Sequence, residues 1–310
     1  MNAPGKMRNL LAEKNYVFTA GVSNAMEAMI LEKAGFDFIY MTGAGTSITQ
    51  LGLVDVGFLT ETEMVNNARN IAKAVNIPVL SDADTGYGNA INVIRTVQDF
   101  EAAGVAGIHI EDQESPKRCG HFAGKTIIPI EEATGKIRAA ADAKKDKDFI
   151  IIARTDALAA VGGGFDEALR RGKAYAGAGA DCVFCEFKSH DIEEPKRFAE
   201  EIHKEFPNLP LFFNYSANFK WYNSPLTFSD IAAIGYKIFI VSTGCIRVSM
   251  RAVSDYAIDL MNREEQAIKE FQQKETLNLA EFGGLKRIKA LEAKYLPSDV
   301  VKEKHETEGL

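Results

Sequence analysis

Eight short apolar runs, separated by longer amphipathic segments, constrain the fold of this chain more than any other feature of its sequence. Each run is rich in Ile, Val, Phe or Tyr and spans roughly five residues, as expected of strands that are buried on both faces. The candidate strands are residues 16–20, 38–41, 77–82, 107–111, 149–153, 182–186, 211–214 and 237–241.

Most of the intervening segments carry apolar residues at helical spacing. In residues 61–75, for example, Met64, Ile71 and Val75 fall on one stripe. Eight strand–helix units predict an α/β fold, a closed (β/α)8 TIM-type barrel over residues 1–260. A doubly wound open sheet is the alternative, but no GxGxxG motif follows the first strand.

Two further helical patterns follow the last strand, within residues 261–297, and they have no strand to cover. We expect them to pack on the barrel or on a partner subunit. Residues 298–310 form a charged tail.

Composition narrows the range of functions. The 36 basic and 43 acidic side chains give a formal net charge of −7, which argues against nucleic acid and anionic membranes as partners. No apolar run approaches the roughly 20 residues that cross a bilayer, and the N-terminus lacks a secretory signal. The four cysteines show no disulfide framework. A cytoplasmic enzyme with a small-molecule substrate is therefore expected.

Acidic residues mark the predicted carboxyl ends of the third and fourth strands, where a barrel places its active site. Asp82 and Asp84 share one face of an extended chain, as do His109 and Glu111. Carboxylates that converge repel one another unless a cation lies among them, and oxygen ligands favour Mg²⁺ or Mn²⁺. The alternative is that the Asp-x-Asp pattern only caps a turn.

A cysteine among charged residues follows the fourth strand, in the run Lys117-Arg118-Cys119-Gly120-His121. Two cations and a histidine beside a thiol predict a thiolate with a lowered pKa. The alternative is an inert loop cysteine.

Other strand ends carry Arg154, Glu186, Asn214 and Ser216. Arg154 is suited to bind a substrate carboxylate through two hydrogen bonds. The loop 40–46 after the second strand offers small residues and backbone N–H groups as an anion cradle, or it is a plain tight turn. Together these groups suit metal-assisted chemistry on a dicarboxylate, in which a developing enolate is stabilised by the ion.

The motifs YMTGAG, SDADTGYG, HIEDQ, PKRCGH, IIARTDA and FFNYSANFKW, in this order, resemble the isocitrate lyase/phosphoenolpyruvate mutase superfamily. The resemblance extends over about residues 16–297. It implies a Mg²⁺-dependent carbon–carbon lyase that acts on a di- or tricarboxylate. It also implies C-terminal helices exchanged between subunits, usually within a homotetramer.

The resemblance also implies roles for individual residues. Cys119 matches the catalytic cysteine that protonates the departing carbanion, and Tyr40 and Glu186 are candidates for the base. The implied metal shell is Asp82, Asp84, Glu111 and Asp55. The implied substrate-binding positions are Thr42, Gly43, Ala44 and Arg154 for the 2-oxo acid, and Gly120, His121, Glu186, Asn214, Ser216 and Arg247 for the other product.

Departures from the family motifs guide the substrate prediction. Methylisocitrate lyases usually carry Arg-Pro-Asn where this chain has Phe122-Ala123-Gly124, and Ala217 and Asn218 also depart from lyase patterns. The chain is much shorter than long isocitrate lyases. These differences favour cleavage of 2,3-dimethylmalate to pyruvate and propionate. The alternatives are 2-methylisocitrate lyase (pyruvate and succinate) and oxaloacetate hydrolase (oxalate and acetate), while KRCGH argues against phosphonate chemistry.

Overall fold

The structure is a computed structural model that describes residues 1–216 and 221–301. The predictions that concern Ala217, Asn218 and most of the charged tail lie outside these residues.

Eight parallel strands pair in chain order and close into a barrel, which confirms the predicted TIM-type fold. Several strands, such as the fourth and fifth, are buried along their whole length, in agreement with their uninterrupted apolar sequences. The strands are β1 Val17–Val22, β2 Ile39–Met41, β3 Val79–Asp82, β4 Gly107–Glu111, β5 Ile150–Thr155, β6 Cys182–Cys185, β7 Leu211–Asn214 and β8 Tyr236–Val241.

Helices connect successive strands, and several of them bury an apolar stripe against the sheet. Helix α4, for example, covers the sheet with Met64, Ala68 and Ile71, which are fully buried. The helices are α1 Ala3–Glu13, α2 Ala25–Lys33, α3 Gly43–Leu51, α4 Glu61–Ala74, α5 Ala90–Ala103, α6 Ile130–Ala143, α7 Phe165–Gly177, α8 Glu193–Glu205, α9 Phe228–Ala233, α10 Gly244–Arg263, α11 Glu265–Lys274, α12 Leu279–Phe282 and α13 Leu285–Tyr295.

The first helix was not predicted. Asn2 caps α1 by accepting a hydrogen bond from the Gly5 N–H. Met7 and Leu11 of this helix join the apolar cluster inside the barrel, beside Val17 and Phe38. Helix α1 therefore packs against the interior cluster with an apolar face too short to stand out in the sequence.

Strand register places the site residues side by side. Asp82 of β3 pairs with His109 of β4, and Glu111 of β4 pairs with Arg154 of β5. Because all eight strands run in the same direction, their carboxyl ends meet at one rim of the barrel.

The chain divides into two compact units, Met1–Ser249 and Met250–Leu310, and the division falls inside α10. The second unit contains α11, α12 and α13. The domain limits proposed from the sequence and the exchange of helices between subunits stay predictions. Among the described helices, none is both long and apolar enough to cross a membrane.

Candidate active site

A cleft with about 370 Å³ of empty space, including its open mouth, lies at the carboxyl ends of the strands. Most of the residues singled out in the sequence line it. They are Tyr40, Thr42, Ala44, Asp55, Asp82, Cys119, Gly120, His121, Arg154, Glu186 and Asn214.

The Asp82 carboxylate, which lines the cleft, accepts hydrogen bonds from two backbone N–H groups. Its Oδ2 accepts a hydrogen bond from the Gly43 N–H (3.2 Å), and its Oδ1 accepts one from the Asp84 N–H (2.9 Å). Gly43 begins helix α3, whose N-terminus favours a negative charge. A Cβ at Gly43 would lie 2.5 Å from Asp82 Oδ2, so only glycine allows this approach.

Lys117 joins two of the predicted metal ligands. Its Nζ lies 2.7 Å from Asp55 Oδ2 and 2.8 Å from Asp84 Oδ1. Burial raises the pKa of Asp84 to about 7 despite this ion pair. Among the residues that the structure describes, no three acidic, His or Cys side chains converge as a ready-made coordination site. The metal-binding role of this cluster therefore stays a prediction.

Glu111 is the strongest indication that a cation belongs here. The side chain is buried, and within the described ranges neither carboxylate oxygen accepts a hydrogen bond. Nη1 of Arg154 lies 3.3 Å from Oε2, but burial still raises the pKa of Glu111 well above its usual value. A buried carboxylate without hydrogen bonds is costly. Asp82, Asp84 and Glu111 thus fit a hard divalent cation.

The predicted thiolate is wrong for this structure. Burial raises the pKa of Cys119 to about 11, so the thiol is protonated at neutral pH. The neighbouring cations do not compensate, because Lys117 pairs with Asp55 and Asp84, and Arg118 donates to the Ala123 carbonyl (2.8 Å). Adjacency in sequence therefore did not produce contact in space.

Arg154 has partners within the protein, and its predicted binding of a substrate carboxylate stays a prediction. Its Nε donates to Asp156 Oδ2 (2.9 Å) and its Nη2 donates to Asp156 Oδ1 (3.1 Å). The guanidinium therefore makes its two-point contact within the protein. Glu111 and Glu186 lie 3.3 and 3.4 Å from Nη1 and Nη2. A substrate carboxylate that binds Arg154 would therefore accept hydrogen bonds from Nη1 and Nη2.

The two candidates for the base are placed differently. The Tyr40 hydroxyl lies 2.8 Å from Nε2 of His109, and burial raises the pKa of Tyr40 well above its usual value. Glu186 accepts a hydrogen bond from the Asn214 side-chain amide (3.1 Å). Burial also raises the pKa of Glu186, which makes its carboxylate a better proton acceptor. Tyr40 stays protonated at neutral pH and cannot accept a proton, so Glu186 is the better candidate for the base.

The predicted binding residues for the second product lie around His121. Its Nε2 lies 2.6 Å from the Ser216 hydroxyl, and the charge of Arg247 contributes to lowering its pKa to about 4, an effect dominated by burial. Phe122 behaves differently, because its side chain is 41% exposed and is not among the described residues that line the cleft. The part of Phe122 in substrate choice stays a prediction.

A family model described as phosphoenolpyruvate phosphomutase matches residues 7–261. This chain belongs to the phosphoenolpyruvate mutase/isocitrate lyase superfamily. The match confirms the resemblance found in the motifs and covers the whole barrel.

Several curated relatives of this superfamily enzyme carry lyase names. The chain is 41% identical over 271 residues to an isocitrate lyase of Haloferax volcanii (87% of this chain, 79% of the relative). It is 45% identical over 268 residues to a 2,3-dimethylmalate lyase of Eubacterium barkeri (86% and 89%). A 2-methylisocitrate lyase of Shewanella oneidensis is 34% identical over 263 residues (84% and 86%).

Solved structures of the superfamily share the whole fold. A phosphoenolpyruvate phosphomutase from Streptomyces platensis has a TM-score of 0.87 at 32% identity, covering 96% of this chain and 100% of that one. An oxaloacetate acetylhydrolase with 3,3-difluorooxalacetate has a TM-score of 0.84 at 32% identity (94% and 97%). A phosphonopyruvate hydrolase solved with oxalate and Mg²⁺ has a TM-score of 0.83 at 33% identity (96% and 100%).

Several cleft residues of this superfamily enzyme were missed in the sequence. Ser242 and Thr243, which follow β8, line the cleft. Phe184 of β6 and Ile240 of β8 line it as well. The strand-end rule, applied to the eighth strand as it was to the others, would have found the first two. Buried Asp156, by contrast, gave no signal, because its partners are distant in sequence or share its own strand end.

Proposed function

We propose that this superfamily enzyme is a Mg²⁺-dependent lyase that cleaves a 2-hydroxy dicarboxylate into a 2-oxo acid and a second carboxylate. The observation that supports this best is the protonated thiol of Cys119 in the same cleft as Asp82, Arg154 and Glu186. Cleavage of a carbon–carbon bond leaves an electron pair on one carbon, and a buried acid beside it completes the reaction.

The metal would be held by Asp82, Asp84 and Glu111, with Asp55 near them through Lys117. When bound, the ion supplies positive charge that stabilises negative charge developing on the substrate oxygens. The likeness to a hydrolase solved with oxalate and Mg²⁺ supports this assignment.

The chain's own residues account for the proton movements. Glu186 accepts the proton of the C2 hydroxyl, and C2 becomes the carbonyl carbon of the 2-oxo acid. The electron pair of the C2–C3 bond passes to C3, which takes the proton of the Cys119 thiol. Thr42, Gly43, Ala44 and Arg154 bind the 2-oxo acid. Gly120, His121, Asn214 and Ser216 surround the second fragment, whereas Arg247, predicted beside them, is not among the described residues that line the cleft.

The lead substrate is 2,3-dimethylmalate, which would give pyruvate and propionate. Among the described residues that line the cleft, Arg154 is the one permanent cation, and it is paired with Asp156. His121 is neutral at pH 7 because its pKa is lowered to about 4. A third substrate carboxylate would find little positive charge on these walls. Phe184 and Ile240 offer apolar surface for methyl groups, and the 45% identical relative carries the same activity in its name.

Chain length no longer argues against isocitrate as a substrate. This chain covers 79% of a relative named isocitrate lyase, so the long form is not required for that name. We therefore keep isocitrate, 2-methylisocitrate and oxaloacetate as comparison substrates.

A proton NMR time course tests the proposal. Separate tubes contain each of the four acids with Mg²⁺, and a parallel set contains EDTA. Pyruvate and propionate from 2,3-dimethylmalate alone, with EDTA silent, would support the lead substrate. Succinate from either tricarboxylate, or oxalate and acetate from oxaloacetate, would replace it with the corresponding activity. No product in any tube would refute the proposed function.

A further inference from the structure

A buried lysine outside the assigned site contacts the loop of residues 117–121, here called the cysteine loop. Lys125 is fully buried, and its Nζ donates to the Gly120 carbonyl (2.6 Å) and to Asp156 Oδ1 (2.7 Å). Gly120 is the residue after Cys119. The ammonium thus ties the loop to the end of β5, where Asp156 lies.

Both the backbone N–H and the carboxylate of Asp156 form hydrogen bonds. Its backbone N–H donates to Asp112 Oδ1 (2.9 Å), and its carboxylate accepts the two-point contact from Arg154. Oδ1 of Asp156 is shared by Arg154 and Lys125. One carboxylate therefore sets the position of the substrate-facing guanidinium and of the cysteine loop together.

The loop is also confined from the other side. A Cβ at Gly120 would lie 2.5 Å from Arg154 Nη2 and 3.2 Å from Glu186 Cγ. The Lys125 carbonyl accepts a hydrogen bond from the Val161 N–H (2.8 Å), which fixes the far end of the segment. Gly120 therefore packs closely against Glu186, the candidate base, while the Lys125 ammonium donates a hydrogen bond to its carbonyl.

We propose that Lys125, through its contacts with Asp156 and the Gly120 carbonyl, is a positioning residue that aligns the Cys119 thiol for proton transfer. The proposal rests on the proposed function for its catalytic consequence, but the placement of the thiol can be measured without any substrate. An ion pair with a purely structural role needs no contact with the cysteine loop. This one has its second hydrogen bond on the carbonyl next to the proton donor.

Lys125→Met tests this, because it removes the ammonium and leaves Asp156 paired with Arg154. Lys144→Met is the matched control. Lys144 also forms a lysine–aspartate pair (2.9 Å), with Asp181, which lies directly before the amino end of β6 and therefore away from the cleft. Iodoacetamide labelling of Cys119 is followed by peptide mass spectrometry in the absence of substrate. We expect Lys125→Met to react at least about tenfold faster than wild type, because the loop opens more often, and Lys144→Met to be unchanged.

Activity provides the second readout. With whichever acid the wild-type enzyme cleaves, kcat of Lys125→Met should fall about 10²-fold while KM changes by a much smaller factor, because Arg154 keeps its contact with Asp156 and only the cysteine loop is released. Wild-type labelling and wild-type kcat in a folded Lys125→Met would overturn the proposal. So would loss of a cooperative unfolding transition in both Lys125→Met and Lys125→Gln, since the lysine would then serve the whole barrel. If Lys125→Met is labelled faster but the wild-type enzyme cleaves none of the acids, the role of Lys125 in placing Cys119 is retained and the proposed function is refuted instead.

Discussion

Sγ of Cys119 lies 3.4 Å from Nδ1 of His121, and both groups are uncharged at neutral pH. Burial raises the pKa of the thiol to about 11 and lowers that of the imidazole to about 4. The pair therefore differs from the thiolate–imidazolium pairs that serve as nucleophiles. A neutral thiol beside a neutral imidazole is suited to give a proton and regain it.

Replacing Cys119 should remove turnover and keep the fold. A positioned acid contributes about 10²–10⁴-fold, so Cys119→Ala should lower kcat by a factor in this range. Steady-state kinetics on the substrate identified by NMR measures the effect. Cys245→Ser, a half-buried cysteine outside the cleft lining, is the control and should keep wild-type kcat. Near wild-type activity of a folded Cys119→Ala would contradict the assigned role.

The protonation state of Cys119 can be measured directly. Because its pKa is raised to about 11, the labelling rate with iodoacetamide should rise about tenfold per pH unit from pH 7 to pH 9 without levelling off. Free cysteine, with a pKa of about 8.5, supplies the reference curve that levels off. A plateau for Cys119 below pH 8 would indicate a thiolate and restore the expectation drawn from the sequence.

The sequence was sufficient for the barrel because each buried strand and each amphipathic helix leaves a local pattern. It was sufficient for most of the cleft because parallel strands bring their carboxyl ends to one rim, so Asp82 and Arg154 could be placed together. It was not sufficient for charge pairing. Lys117 is two residues from Cys119 but pairs with Asp55, a residue 62 positions away.

Side-chain contacts between distant segments explain the remaining gaps. Lys125 and Asp156 are 31 positions apart, and nothing local signals that they meet. The exposure of Phe122 was not predictable for a related reason, because its neighbours in sequence do not show which way a loop residue points.

Mg²⁺ should stabilise the protein more at pH 8 than at pH 6. The raised pKa values of Asp84 (to about 7) and Glu111 mean that protons and the metal compete for these carboxyls at low pH. In EDTA, the raised pKa of Asp84 contributes stability that is lost as pH rises from its unfolded value through about 7, and Glu111 acts in the same direction. Thermal unfolding with Mg²⁺ or EDTA at each pH measures the difference. A larger Mg²⁺ effect at pH 6 would contradict the assignment of these ligands.

Glu111→Gln should abolish the stabilisation by Mg²⁺. A ligand at about 100 times its Kd stabilises the folded state by about 2.7 kcal/mol, and the neutral amide is a poor ligand for a hard cation. Exposed Glu114→Gln removes the same charge three positions away and should keep the full Mg²⁺ effect. Equal Mg²⁺ stabilisation in both variants would remove Glu111 from the proposed metal site.

The C-terminal helices should be required for assembly. Within the second unit, the side chains of Met261, Leu279 and Tyr295 are 83%, 85% and 69% exposed in the single chain. Apolar surface of this kind indicates a protein partner. Removing residues 263–310 should lower the mass found by sedimentation velocity from that of the predicted homotetramer, while removing only 302–310 should not. A stable, fully active monomer in the longer deletion would refute helix exchange.

Asp112 should be the most sensitive buried position behind the cleft. Its Oδ2 accepts hydrogen bonds from Thr155 Oγ1 (2.7 Å), Arg171 Nη1 (3.1 Å) and the Tyr175 hydroxyl (2.7 Å). An asparagine would turn its NH2 group either against these donors or against the Asp156 N–H that donates to Oδ1, and it would leave the Arg171 charge without its buried partner. Asp112→Asn should therefore lower the free energy of unfolding by about 3–5 kcal/mol.

Tyr175→Phe separates the charge from the hydrogen bonds at Asp112, because it removes the hydroxyl that donates to Asp112 and accepts from Arg171, but leaves the Arg171–Asp112 ion pair intact. It should cost only about 1 kcal/mol, and exposed Asp142→Asn should change stability by less than about 0.5 kcal/mol. Urea unfolding at pH 7.5 measures all three variants. If Asp112→Asn and Tyr175→Phe cost the same, the carboxylate acts only as a hydrogen-bond acceptor. A larger loss for Asp112→Asn would show that its charge also fixes Arg171 and, through the Asp156 N–H, the end of β5 on which Arg154 depends.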